Sequence, residues 1–299
     1  MSQLASRLAS HLGIRFMHLM GVLPLAWVRT LGWVLGYALY LAVPSRRRVA
    51  RINLALCFPE LSAGQVSQRV RQTFVFFAQA WLDRGWLWHG SPSVLLRRLK
   101  IKGAVDALAA GDLQAQPIVI FSPHFVGLDA GWTALTQQIP RTFATIYTKQ
   151  ANAEVDQWIL RGRSRFGKTQ LFGRAAGVRP VVAALRAGDL LYLLPDMNFG
   201  PHESVFVPFY GVSAATVPSL SRFAKLGRAK VVPVVSRMTL QGYEIEVLAP
   251  WDNYPTDNFE NDAARMNLRL QDMIDAMPAQ YYWLHKRFKD RPCGQADLY

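Results

Sequence analysis

His124 and Asp129 are the pair of residues whose types and spacing offer chemistry in this 299-residue chain. They stand in Ser122-Pro123-His124-Phe125-Val126-Gly127-Leu128-Asp129, directly after the apolar run Pro117-Ile118-Val119-Ile120-Phe121. Residues five apart on one continuous helix differ by about 140° and do not face each other. The spacing therefore works when His124 sits on a loop and Asp129 on the first turn of the helix that follows. A carboxylate so placed accepts the Nδ1 hydrogen of the imidazole, fixes its tautomer and leaves Nε2 as a general base. This is triad logic without a protein nucleophile, so a substrate hydroxyl would attack. Many chains carry an H-x4-D pair by chance; its place at the end of an apolar strand singles this one out.

The elements that must position the pair are legible from hydrophobic patterning. From Leu61 the chain reads as a helix, capped by Ser62, with Val66, Val70, Phe74, Phe77 and Trp81 at spacings of three and four. Trp81, Trp86 and Trp88 in that stretch read as a core stripe, with a membrane-facing belt the alternative. Strands are expected at 117–121, 142–147, 190–194, 230–235 and 243–248, the last as an antiparallel or edge strand. Helices are expected from about Gly127, and over 154–165, 179–187, 217–226 and 261–276. Strands alternating with helices argue for an α/β fold, a layered, mostly parallel sheet flanked by helices. In such sheets ligands sit beyond the carboxyl ends of strands, here just after Phe121, Tyr147, Leu194 and Val235.

Charge and hydropathy bound the partners. The chain carries 34 Lys and Arg against 20 Asp and Glu, a net +14, with 51% hydrophobic residues. It is too rich in aromatics to be a disordered basic protein. Phe16 to Val43 is apolar apart from Arg29, and a basic cluster at Arg46, Arg47, Arg48 and Arg51 follows it. Residues 1–60 hold seven Arg and one acid, Glu60, a net +6. A cleavable signal peptide fits poorly, because no small-x-small site ends the run. We expect an N-terminal hydrophobic helical anchor over 1–45 and a second unit over 46–299; a buried hairpin of core helices is the alternative. The anchor either spans or lies in the interface, with Arg29 snorkelling or facing protein. The basic cluster suits an anionic membrane surface and a cytoplasmic orientation. Nucleic acid is not expected as a partner, since no nucleic-acid module is visible and the basic residues concentrate beside the apolar run. Cys57 and Cys293 are far apart and belong to no Cys/His cluster, so neither a disulfide scaffold nor a metal site is expected.

The sequence resembles the bacterial lipid A late acyltransferases, the lauroyl and myristoyl transferases of lipopolysaccharide assembly, within the wider glycerolipid acyltransferase group that shares an H-x4-D/E motif. His124 and Asp129 match that motif. Gly162-Arg163 with Arg165 matches a basic block after the second strand. Pro195-Asp196-Met197-Asn198-Phe199-Gly200-Pro201, continuing Ser204-Val205-Phe206-Val207-Pro208-Phe209, matches a second block. Val232-Pro233 matches a strand motif. Gln280-Tyr281-Tyr282-Trp283-Leu284-His285-Lys286-Arg287-Phe288-Lys289 with Arg291-Pro292 matches the C-terminal signature. Asn198 stands where some members have Asp, and the usual Arg/Lys-Pro after Tyr147 is missing.

The resemblance implies transfer of a fatty acyl group from acyl carrier protein to a hydroxyl of a lipid A precursor at the cytoplasmic face of the bacterial inner membrane. It implies His124 and Asp129 as the catalytic pair, with no metal and no bound cofactor beyond the carrier thioester. Oxyanion donors would be backbone amides near Gly127 or the Arg163 guanidinium. Arg163 either binds a phosphate, pairs with an acid or is a surface arginine. Asp196 either positions Arg163 or the His-Asp pair, or caps a turn. Lys168 and Arg174 read as solvated, with acceptor phosphates the alternative. His285, Lys286, Arg287 and Lys289 meet an acidic partner or the membrane, or pack around Trp283. The alternatives to this function are acyl transfer to another membrane glycolipid, lysophospholipid or aminolipid, and a non-enzymatic basic membrane-anchored adaptor.

Overall fold

A computed structural model describes residues 3–109 and 116–299. The chain opens with four helices, α1 (Gln3–Val22), α2 (Leu25–Ala42), α3 (Pro44–Cys57) and α4 (Ala63–His89). A short α5 (Pro92–Arg98) leads into β1 (Leu99–Gly103). There follow β2 (Ile118–Phe121), α6 (Leu128–Gln138), β3 (Thr142–Tyr147), α7 (Ala153–Arg163), β4 (Lys168–Gly173), α8 (Val178–Arg186) and β5 (Leu190–Leu193). A hairpin, β6 (Val205–Phe209) and β7 (Val212–Thr216), precedes α9 (Ser219–Gly227), β8 (Lys230–Thr239), β9 (Gly242–Val247) and α10 (Phe259–Asp275).

Seven strands form one sheet in the order β1-β9-β8-β2-β5-β3-β4. All adjacent pairs are parallel except β8 with β9. The central strands β2 and β5 are buried at every position, as continuous apolar runs in a parallel sheet covered on both faces should be. The fold is the expected α/β layering. β9 does run antiparallel to β8, yet it is not an edge: β1, unsigned in the sequence, pairs outside it. The alternation Leu99-Lys100-Ile101-Lys102 is too short and too charged to stand out from the helix before it. β4 and the β6–β7 hairpin also went unpredicted, and β8 runs four residues past its expected end at Val235 to Thr239.

The capping signal at Ser62 holds. Its hydroxyl accepts from the Gln65 amide while the Gln65 side chain accepts from the Ser62 amide, which fixes the start of α4. α4 is the helix on which the N-terminal pair rests. Val28, Gly32 and Gly36, one face of α2, are buried against it. A Cβ on Gly36 would stand 2.5 Å from Val75 Cα, and one on Gly32 2.7 Å from Gln79 Cα, so the two backbones approach only because these positions lack side chains. Arg29 faces protein: its guanidinium bonds Asp83 of α4 at 2.9 and 3.1 Å. Asp83, fully buried, also accepts from Trp86 Nε1 and Tyr243 Oη. Trp86 and Trp88 are core residues as expected, whereas Trp81 is half exposed. Leu25–Ala42 is the one described helix long and apolar enough to cross a membrane, and most of it is not buried in the protein.

Candidate active site

Phe121 at the end of β2 is in register with Leu193 at the end of β5. The two chains leave the sheet side by side, and the Ser122 amide still donates to the Leu193 carbonyl. A proline follows two residues on in each case, Pro123 and Pro195, and breaks the ladder. Three residues past each strand end stand His124 and Asp196. Equal offsets from paired ends bring them together. His124 Nδ1 lies 2.8 Å from Asp196 Oδ1, and the His124 backbone amide donates to Oδ2 at 3.0 Å.

This corrects the expected pairing. His124 is on the loop and Asp129 on the first turn of α6, as the spacing requires, but the imidazole turns to Asp196. The Asp129 carboxylate is taken by two guanidinium groups, Arg84 of α4 at 2.7 Å and Arg163 of α7 at 3.0 Å. Two permanent positive charges hold a buried carboxylate more strongly than a titratable imidazole does. Burial works to raise the Asp129 pKa, but Arg163 and Arg84 outweigh it and hold it down to about 2. Of the roles open to Arg163, pairing with an acid is the one observed. Of those open to Asp196, positioning the histidine is.

Asp196 is fully buried. Burial opposes its charge, yet His124 and the hydrogen bonds it receives pull its pKa below the usual value. One of those bonds is from Tyr281 Oη, at 3.0 Å to Oδ2. Burial and the Asp196 charge push the Tyr281 pKa well up, which keeps the phenol a donor. Three of the four lone-pair directions of the carboxylate are thus filled by fixed donors, and the carboxylate stays ionised beside the ring.

The C-terminal signature builds the support around this pair. The Val126 amide donates to the Gln280 carbonyl and the Tyr282 amide to the His124 carbonyl, so 280–282 clasps the His124 loop like a short strand. Gln280 is fixed in turn by the backbone of Met238. Asn53 of α3 donates to the Trp283 and His285 carbonyls. The Asn198 amide donates to His285 Nε2 at 3.1 Å; burial, with Arg287 and His124, lowers the His285 pKa to about 4 and keeps that nitrogen an acceptor. Arg287 is buried, bonding Ala215, Thr216 and Asn267. His285 and Arg287 are therefore internal braces, the packing alternative among those open to them.

A cavity of about 460 Å³ opens beyond the carboxyl ends of β2, β3 and β5. His124, Asp129, Arg84, Arg163 and Arg174 share its wall with apolar groups that include Leu128, Trp132, Ile146, Val217 and Phe223. His124 has no partner on Nε2 among the described residues, and Nε2 is the ring edge opposite Asp196. Gly127 does not line the cavity. A Cβ there would come 2.6 Å from the Ser236 carbonyl, so its lack of a side chain lets the start of α6 sit against β8. Arg174 stacks over Phe199, 4.1 Å from the ring centroid. Lys168 is exposed at the start of the edge strand β4. Among the described residues, no three His, Cys, Asp or Glu side chains converge as metal ligands would.

Arg84 and Tyr281 are the site residues that sequence reasoning missed. The signal for Arg84 was a charge inside an aromatic helical stripe. Tyr281 lay in a block read for its cations.

A basic-walled, partly apolar cavity with a carboxylate-held imidazole suits acyl transfer to a hydroxyl, and comparison with known proteins agrees. The family model described as bacterial lipid A biosynthesis acyltransferase matches residues 2–290. The chain is 31% identical to the lipid A biosynthesis palmitoleoyltransferase of Escherichia coli K12 over 261 residues, 85% of this chain and 82% of that one. It is 30% identical to the lauroyltransferase of the same strain over 291 residues, 96% and 94% of the two chains. A lipid A biosynthesis acyltransferase of Haemophilus influenzae is 31% identical over 96% of this chain and 89% of its own. With a match running nearly end to end, the chain belongs to the bacterial lipid A biosynthesis acyltransferases.

Proposed function

We propose that this acyltransferase moves a fatty acyl chain from acyl carrier protein to a hydroxyl of a lipid A precursor, with His124 as general base and Asp196 as the residue that orients it. The observation that carries the reading is His124 on the cavity wall, its Nδ1 on a buried, ionised Asp196 and its Nε2 without a partner among the described residues. In the first step Nε2 takes the acceptor hydroxyl proton as the oxygen attacks the thioester carbonyl. The imidazolium that forms is stabilised by Asp196. The tetrahedral oxyanion is met by positive charge, for which Arg163 on the cavity wall is a source. Collapse of the intermediate breaks the C–S bond, and the departing thiolate takes the proton back from His124. Asp129 holds Arg84 and Arg163 at the cavity and does not touch the ring.

The lipid acceptor calls for work at a membrane. α2 exposes Trp27, Leu31, Trp33, Val34, Tyr37 and Leu41 outside the Val28-Gly32-Gly36 face that packs on α4, and α1 exposes Leu8, Leu12, Phe16 and Leu19. This apolar face lies in the cytoplasmic leaflet of the inner membrane, with residues 1–45 as the membrane-facing part. Arg48 and Arg51 on α3 are exposed beside it for anionic headgroups.

The reading is tested by giving purified protein a fatty acyl carrier protein and a tetra-acylated lipid A precursor and following product by mass spectrometry. Wild type forms acylated product. His124→Ala, folded by circular dichroism, loses turnover by orders of magnitude. Normal turnover in that variant removes the mechanism.

A further inference from the structure

The β8–β9 hairpin turns at Leu240-Gln241, and Leu240 is 98% exposed. Two-residue hairpin turns draw Gly, Asn and Asp, and a leucine at such a tip contributes nothing to the core. The hairpin is tied to α2 right beside this turn. The Arg29 guanidinium reaches the Gly242 carbonyl at 3.4 Å and covers the Tyr243 ring at 5.3 Å. Between the hairpin tip, α2 and α4 runs a groove of about 1090 Å³. Trp33 and Tyr37 line it, stacked 5.9 Å apart, with Phe76, Leu240 and two arginines, and no acid. Arg29 is committed to Asp83. Arg71 is exposed and has no hydrogen-bond or ion-pair partner among the described residues. The groove continues the exposed apolar face of α2, since Trp33 and Tyr37 belong to both.

An exposed leucine, two aromatic rings with polar edges and an unpaired cation match the layers of a bilayer interface: acyl chain, headgroup boundary, phosphate. We infer that the Leu240 turn inserts into the same anionic leaflet as α2, with Arg71 meeting a lipid phosphate in the groove between them. The inference rests on the membrane reading of α1 and α2 and extends it to a turn far along the chain, so the protein meets the bilayer through two separate segments.

The test uses the full chain. In a Cys293→Ser background Cys57 is buried, so Leu240→Cys can be labelled with an environment-sensitive fluorophore and mixed with phosphatidylethanolamine/phosphatidylglycerol vesicles. Insertion gives a blue shift, a brighter signal and quenching by lipid-borne spin labels. In unlabelled protein, Leu240→Asp weakens vesicle partition about tenfold or more, the scale set by burying one leucine. Arg71→Glu weakens it on anionic vesicles and leaves binding to pure phosphatidylcholine unchanged. If wild type binds vesicles while the label at 240 stays in water and Leu240→Asp binds as before, the second contact is overturned and the α1–α2 reading stands. If wild type binds no vesicle, both fall. If Leu240→Asp instead abolishes self-association and spares vesicle binding, the groove takes a second copy of the chain and the inference is wrong.

Discussion

His124 and Asp196 stand three residues past strand ends that face each other in register, Phe121 and Leu193, and one carboxylate holds both the ring and the backbone of the histidine. The orientation of the imidazole is therefore set relative to its own loop, and the sheet sets the loop. Such a double hold leaves Nε2 aimed by the fold and not by the substrate.

Asp196→Asn keeps the volume and one acceptor oxygen but removes the charge that stabilises an imidazolium. kcat is expected to fall by about 10²–10⁴, the range general-base catalysis supplies, with KM for the acceptor little changed. Steady-state kinetics on folded variant checks this.

Asp129→Asn acts on stability and on the placement of Arg84 and Arg163. The folded-state pKa of Asp129 is depressed from 3.8 to about 2. Its contribution is therefore present above the unfolded value and lost as pH falls through about 2. The shift corresponds to about 2 kcal/mol at neutral pH. Wild type should be more stable than Asp129→Asn at pH 7 by that order, and the gap should close between about pH 4 and pH 2. Denaturant unfolding of both proteins across this range measures it.

Tyr281→Phe removes the phenolic donor to Asp196 Oδ2 and leaves the ring packing. The loss of one hydrogen bond to a charged group costs about 1.5–3 kcal/mol. Melting temperature should drop, and kcat should fall by a smaller factor than in Asp196→Asn, because His124 keeps its partner. Thermal melts and kinetics on the same preparation check both parts.

Gly36→Leu forces a side chain into backbone 2.5 Å away. Overpacking of this kind costs about 1–3 kcal/mol. The variant should melt at lower temperature, and limited proteolysis should cut near α2 sooner than in wild type.

Local pattern revealed the strands that carry the site, because buried parallel strands are continuous apolar runs and prolines end both of them. It revealed His124 by its place after one such run. It misassigned the partner, because the pairing of β2 with β5 joins segments separated by three helices and two strands, and no local spacing reports that register. The strand–Pro–x pattern repeated at Pro123-His124 and Pro195-Asp196 was the available clue. Asp129 misled for a related reason: its partner Arg84 comes from a helix before the sheet begins. His285 and Arg287 left two readings open, a charge cluster facing a partner or packing around Trp283, and tertiary packing decides for the second. β1, β4 and the β6–β7 hairpin were hidden by short, mixed-polarity sequences that lie at or outside the sheet edges.

The central claim is that His124 works through Asp196, and a double-mutant cycle on acyl transfer tests it most directly. Turnover is measured for wild type, His124→Ala, Asp196→Asn and the double variant under one set of conditions. The account predicts that the double variant is no slower than His124→Ala alone, since Asp196 has nothing left to orient. Losses that multiply would mean that Asp196 acts independently of the histidine and would contradict it.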